Sequence, residues 1–237
     1  AQAFASGAGC DWTTDFDSML ARDDIDVIGV FTSSGTHCDF CIQVLKAGKH
    51  AVTTKPMDIR VEKCEEAIQV AKDADKILAV DFGNRYSVQN QKLKAGLGKL
   101  GNIFLGDVRM KWLREQSYYD GGWPPGWRSR KETEGGSIAN QGVHFVDLVY
   151  WFLGPVKEIS GRSGTLAHEI ETEDITIANL TFQSGAWGLI ETTTSNYPNL
   201  GTTIEISGTN GTLVWSQRGG VEMFRTRDEE NVDWESI

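Results

Sequence analysis

Three short apolar runs rich in β-branched residues, at positions 26–32, 50–54 and 77–82, alternate with segments of helical spacing at 37–47 and 61–74. Strands separated by helix-length connections join in parallel, because a helix carries the chain back across the sheet. The first part is therefore predicted to be a parallel sheet with crossover helices. In the helix at 61–74, Cys64, Ala67, Ile68 and Ala71 are expected to face inward. After a further helix near 88–97 the pattern changes. Runs at 106–113, 175–182, 186–193, 202–207, 212–215 and 221–225 follow one another across turns rich in Gly, Asn and Ser. Sequential strands with short turns predict an antiparallel sheet. The expectation is an α/β chain with a parallel-sheet domain over 1–84 and an α+β domain over 85–237.

The segment 135–154, GGSIANQGVHFVDLVYWFLG, reads as a helix stopped by Gly154 and Pro155. Most of its circumference is apolar, which predicts burial, with one face of the second sheet covered by it. Asn140, His144, Asp147 and Trp151 nevertheless fall on one stripe. Buried polar groups need partners. The stripe is read either as a core histidine held by Asp147 or as the border of a cavity.

With 40% hydrophobic and 24% charged residues in 237, the composition is that of a globular chain, and the net charge of −10 disfavours non-specific nucleic-acid binding. No apolar run reaches membrane-spanning length, and the opening AQAFASGAGC lacks the charged start and apolar stretch of a secretory leader. A cytoplasmic protein without membrane or nucleic-acid partners is expected. The four cysteines include one C-x-x-C, Cys38 and Cys41, and no second pair to complete a zinc ribbon. They are read as two small residues on a buried helix face, and no metal site is expected.

Ligands of open parallel sheets bind beyond the carboxyl ends of the strands. Two loops lie there, Thr32 to His37 and Thr54-Lys55-Pro56. Lys55 sits at the end of a strand and before a proline, and lysine shifts its proton affinity readily when desolvated. The segment REQSYYDGGWPPGWR at 114–128 combines aromatic faces with guanidinium donors, with Trp127 and Arg128 as candidates for sugar contact. Aromatics packed over the sheet are the other reading.

Four segments in order resemble the glucose–fructose oxidoreductase / inositol dehydrogenase / rhizopine catabolism family of nicotinamide-dependent sugar and polyol oxidoreductases. These are DIDV at 24–27, AGKHAVTTKP at 47–56, GGSIANQGVHFVD at 135–147, and SNYP at 195–198 with EISGTNG at 205–211. The resemblance implies a partial Rossmann-like parallel sheet followed by a largely antiparallel α+β domain. It implies NAD or NADP as cofactor and a sugar, polyol or nucleotide-sugar substrate. Lys55 and His144 would be the acid/base pair. Asn140, Asp147, Trp127 and Arg128 would meet or position the substrate, and Thr32, Ser33, His37, Lys55 and Pro56 would lie along the cofactor. A homo-oligomer formed through the C-terminal sheet is implied as well.

The match starts downstream of the family's first strand and G-x-G-x-x-G turn. Gly7-Ala8-Gly9 follows no strand and has Trp12 where a third glycine would stand. Thr54 occupies a position that is commonly glutamate, and Asn140 one that is commonly aspartate. A chain lacking the first βαβ unit and shortened at both ends is expected. The alternative reading is a non-catalytic sugar-binding or subunit-interaction protein, or an inactive fragment.

Overall fold

The computed structural model describes residues 1–237, which divide into two compact units. The first comprises Ala1–Thr32 and Thr36–Asp81; the second comprises Ser33–Gly35 and Phe82–Ile237.

The first unit opens with two short helices, α1 (Gln2–Ala8) and α2 (Phe16–Leu20). Gly7-Ala8-Gly9 is the end of α1, and Gly9 takes the left-handed conformation that closes a helix. It is not a phosphate-binding turn. Strands β1 (Val27–Val30), β2 (His50–Thr54) and β3 (Leu78–Asp81) form a parallel sheet in the order β1-β2-β3. The crossovers are α3 (His37–Lys46) and α4 (Val61–Asp73). Ile28, Val30, Cys41, Val44, Leu45, Ala51 and Ala71 make the core. On α4 only Ala67 and Ala71 are buried, and Ile68 is 43% exposed. Its predicted inward position is corrected: the small residues let α4 approach the unit closely, and the helix turns Ile68 off that face. Cys38 and Cys41 are buried free thiols, and burial pushes Cys41 up to about 11 and Cys38 higher still. A protonated, inaccessible thiol is a poor nucleophile, which favours the packing reading.

In the second unit α5 (Val88–Gly96) leads to the long strand β4 (Ile103–Lys111), the short helix α6 (Gln116–Asp120) and then α7 (Val143–Leu153). Six further strands follow: β5 (Val156–Gly164), β6 (Ile175–Phe182), β7 (Trp187–Thr193), β8 (Gly201–Gly208), β9 (Gly211–Ser216) and β10 (Gly220–Thr226). The sheet order is β10-β9-β8-β4-β7-β6-β5. Every neighbouring pair is antiparallel except β4 and β7, which run parallel. The sheet is thus largely antiparallel, as expected, with β4 entering its middle between β7 and β8.

Alternation along β4 and β7 turns Val108, Met110 and Ile190 to one face. With Ile204 and Ile206 they pack against Phe145, Leu148, Val149 and Phe152 of α7. Burying side chains of this size contributes about 1.5–3 kcal/mol each, enough to hold a polar-striped helix against the sheet. The other face carries Leu105, Ile177 and Trp187, exposed by 37%, 40% and 69%.

Candidate active site

The helix at 135–154 does not begin as an α-helix. Ser137–Gly142 forms a single wide π-helical turn, and the α-helical geometry starts at Val143. This corrects the regular i, i+4 relation assumed between Asn140 and His144; π turns of this sort concentrate at functional sites. Two glycines allow it. Gly136 has φ of 78°, and a side chain there would meet the carbonyl of Glu173 at 2.7 Å. Gly142 packs so closely on β7 that a Cβ would lie 2.6 Å from the Thr192 methyl.

Glu173 anchors the turn's start. Its carboxylate accepts from the Ser137 hydroxyl at 2.6 Å and from the Ile138 N–H at 2.7 Å. Burial pushes this carboxyl above its ordinary value, against the pull of those two donors.

Asn140 is buried, and both ends of its amide are engaged. Its Nδ2 donates to Glu134 at 2.6 Å, and its Oδ1 accepts from Gln141 at 2.7 Å and from the Tyr118 hydroxyl at 3.5 Å. Glu134 is itself buried and also accepts from the Ser34 hydroxyl at 2.9 Å and the Gly135 N–H at 2.9 Å. Gln141 donates to Tyr118 at 3.0 Å and accepts from Arg114 at 3.4 Å. Arg128 stacks over Tyr118 and Trp127, with its guanidinium carbon 4.7 and 4.5 Å from the ring centres.

One stretch further along, His144 borders a cavity of about 300 Å³ whose polar walls include Asn84, Asn90 and Gln217, with Trp112 and Trp215 as its aromatic walls. Asp147 is taken up by Arg85, whose Nε and a terminal nitrogen lie 2.7 and 2.5 Å from its two oxygens. This two-point ion pair raises the arginine's proton affinity. It also gives the buried stripe a cationic partner from the turn before α5. Of the two readings of the stripe, the cavity border is observed for His144. A larger hollow of about 690 Å³ lies on the exposed sheet face between Asp107, Ile159, Asn179 and Trp187. It has no histidine or lysine in its walls, so it is the poorer candidate for proton transfer.

In the first unit, Lys55 follows β2 directly and is half-buried, while Thr32 beyond β1 is exposed. His37 is only 1% exposed. Its two ring nitrogens lie 2.8 Å from the Pro56 carbonyl oxygen and 3.0 Å from that of Thr32. It stitches together the two loops at the carboxyl edge of the sheet. His37 and the buried Pro56 thus shape these loops from inside, and the accessible groups here are Thr32 and the half-buried Lys55; Ser33, which belongs to the second unit, is half-buried.

Sequence reasoning missed Arg85, Glu134, Glu173 and Tyr118. Glu134 alone carried a local signal, a charged residue placed directly before the Gly-Gly that opens a buried helix.

Residues 1–82 match the family described as "Oxidoreductase family, NAD-binding Rossmann fold", and residues 95–214 match "GFO/IDH/MocA C-terminal domain". The chain is 32% identical to the WlbA dehydrogenase of Bordetella pertussis, solved in complex with NADH and UDP-GlcNAcA. That match has a TM-score of 0.91 and covers 97% of this chain and 72% of the other. Among curated relatives, levoglucosan dehydrogenase of Pseudarthrobacter phenanthrenivorans is 24% identical over 94% of this chain and 62% of its own length. Myo-inositol 2-dehydrogenase of Thermotoga maritima is 26% identical, over 82% of this chain and 58% of its own length. The chain belongs to the GFO/IDH/MocA family of oxidoreductases, as the resemblance implied. It spans 41–62% of the length of the first curated relatives it matches. Thr32 and Lys55 follow the carboxyl ends of the neighbouring parallel strands β1 and β2, the edge at which open parallel sheets bind ligands.

Proposed function

We propose that this chain takes part in oxidising a hydroxyl of a sugar, polyol or nucleotide sugar, with NAD or NADP as hydride acceptor. The observation that carries the reading is His144, on a helix otherwise committed to the core, bordering a polar cavity. A bound nicotinamide supplies the hydride acceptor. The residues of this chain handle the proton and the orientation. His144 takes the proton of the reacting hydroxyl, a task suited to imidazole near neutral pH. Lys55 is the other member of the proposed acid/base pair, able to polarise a substrate oxygen or relay a proton. Thr32 and Ser33 hold the cofactor's polar edge, while His37 and Pro56 fix the loops that present them. Asn140 and Asp147 act as positioning residues, the first through Glu134 and Gln141, the second through Arg85. Trp127 offers an aromatic face to the sugar, and Arg128 offers donors beside it.

Replacing His144 or Lys55 by alanine is expected to lower turnover by roughly 10²-fold or more. Initial rates of nicotinamide reduction measure this, and near-wild-type rates in both variants would remove the acid/base assignment. A second copy of the chain is proposed to cover the open sheet face, where Leu105, Ile177 and Trp187 are exposed. A boundary near residue 84 is retained as the proposed division between cofactor-side and substrate-side domains.

A further inference from the structure

Arg114 and Arg128 both lie over the ring of Tyr118, their guanidinium carbons 5.4 and 4.7 Å from its centre. Arg114 also stacks on Trp112 at 5.0 Å, and Arg128 on Trp127 at 4.5 Å. Both are half-buried, in a chain with ten more acidic than basic groups. Yet neither forms an ion pair, whereas Arg22, Arg60, Arg85 and Arg225 each do. Arg114 donates to the Leu113 carbonyl at 3.0 Å and to Gln141 at 3.4 Å, both neutral acceptors. Arg128 makes no hydrogen bond to the protein and is held by its two rings alone.

Two cations sharing one ring repel each other, and partial burial strengthens that repulsion. A guanidinium stacked on an aromatic face keeps its N–H edge available, in the planar fork that matches an oxyanion. The support beneath is fixed. Tyr118 is hydrogen-bonded to Asn140 and Gln141, and Asn140 to the buried Glu134. Gly122 (φ 89°) leaves the space the arginine needs, since a Cβ there would meet Trp127 at 2.5 Å and Arg128 at 2.7 Å.

We propose that Arg114 and Arg128, stacked on Tyr118, form an oxyanion subsite, and that the substrate is an acidic sugar carrying a carboxylate or a phosphate. The inference rests on the reading that this unit binds the sugar, and it adds the charge that sugar must bear.

The test is equilibrium titration, which requires no turnover. UDP-glucuronate against UDP-glucose isolates the carboxylate; glucose 1-phosphate against glucose isolates the phosphate. At least one pair should differ by about tenfold or more in Kd, since hydrogen bonds to a charged group are worth that much. The pair that responds identifies the anion. In Arg114→Met and Arg128→Met the preference should collapse towards equality, and in Arg128→Lys it should survive in part, because charge is kept while the fork is lost. Equal affinities within both pairs, no binding of the acidic probes, or full preference in both Met variants would overturn the proposal. The same proteins assayed for nicotinamide reduction separate the two claims. Anion preference without reduction keeps the subsite and removes the oxidoreductase reading; reduction without anion preference does the reverse.

Discussion

Glu173 shows how one residue can couple the site to pH. Its carboxyl is raised above the ordinary 4.5 by burial, so the folded state holds its proton more tightly than the unfolded chain does. The contribution to stability is fully present below the unfolded value and is lost as pH rises through the folded one. Thermal denaturation of the wild type should therefore show a loss of stability in that window above pH 4.5 that is missing from Glu173→Gln, whose amide does not titrate. Parallel pH curves for the two proteins would refute this. Asp174 behaves in the opposite sense. Burial alone would raise it, but the N–H groups of Leu166, Ala167 and His168 at 2.8–2.9 Å, together with the His168 ring, outweigh burial and hold it low. Replacing it by asparagine should cost about 2 kcal/mol or more in urea denaturation, because three donors lose a charged acceptor. A change within error would mean the loop 165–174 is held by other contacts.

Among elements, the π turn at Ser137–Gly142 decides where the site's polar groups lie. Gly142→Ala should destabilise the protein by about 1–3 kcal/mol, since its methyl would overlap Thr192 of β7. Denaturation of the variant checks this, and an unchanged midpoint would show that Thr192 gives way freely. The turn was not legible in the sequence, because nothing local in GSIANQG distinguishes π from α spacing. Strand β5 was missed for a different reason. Nearly every residue in it is exposed, so VKEISGRSG has no alternation to detect. By contrast, β2 and β6 follow the predicted bounds, because their alternating apolar residues face a core. Lys55 and His144 stood out by local rules, a lysine at a strand end and a polar stripe on an apolar helix. Arg85 could not be found that way, being 62 positions from Asp147, nor could the 100-residue link between Ser34 and Glu134. Only the tertiary fold brings those partners together.

At the scale of the whole molecule, the second unit's sheet buries one face under α7 and leaves the other with an exposed tryptophan, leucine and isoleucine. Leu105 and Trp187 are register neighbours on this face, and exposed apolar surface of this kind is characteristic of subunit contacts. Trp187→Glu should shift the protein towards monomer in sedimentation equilibrium, and an unchanged mass distribution would exclude this face as the interface. The net charge of −10 sharpens the substrate question as well, since an acidic surface repels an acidic sugar everywhere except where cations gather. The central claim is that this chain's residues serve alcohol oxidation rather than sugar binding alone. It is tested most directly by incubating the protein with NAD⁺ or NADP⁺ and an acidic nucleotide sugar deuterated at the reacting carbinol carbon. The account predicts deuterium in the reduced nicotinamide, a carbonyl on the sugar, and a rate lowered roughly 10²-fold or more in His144→Ala. Sugar bound with no deuterium transferred, or transfer at the same rate in the variant, would contradict it.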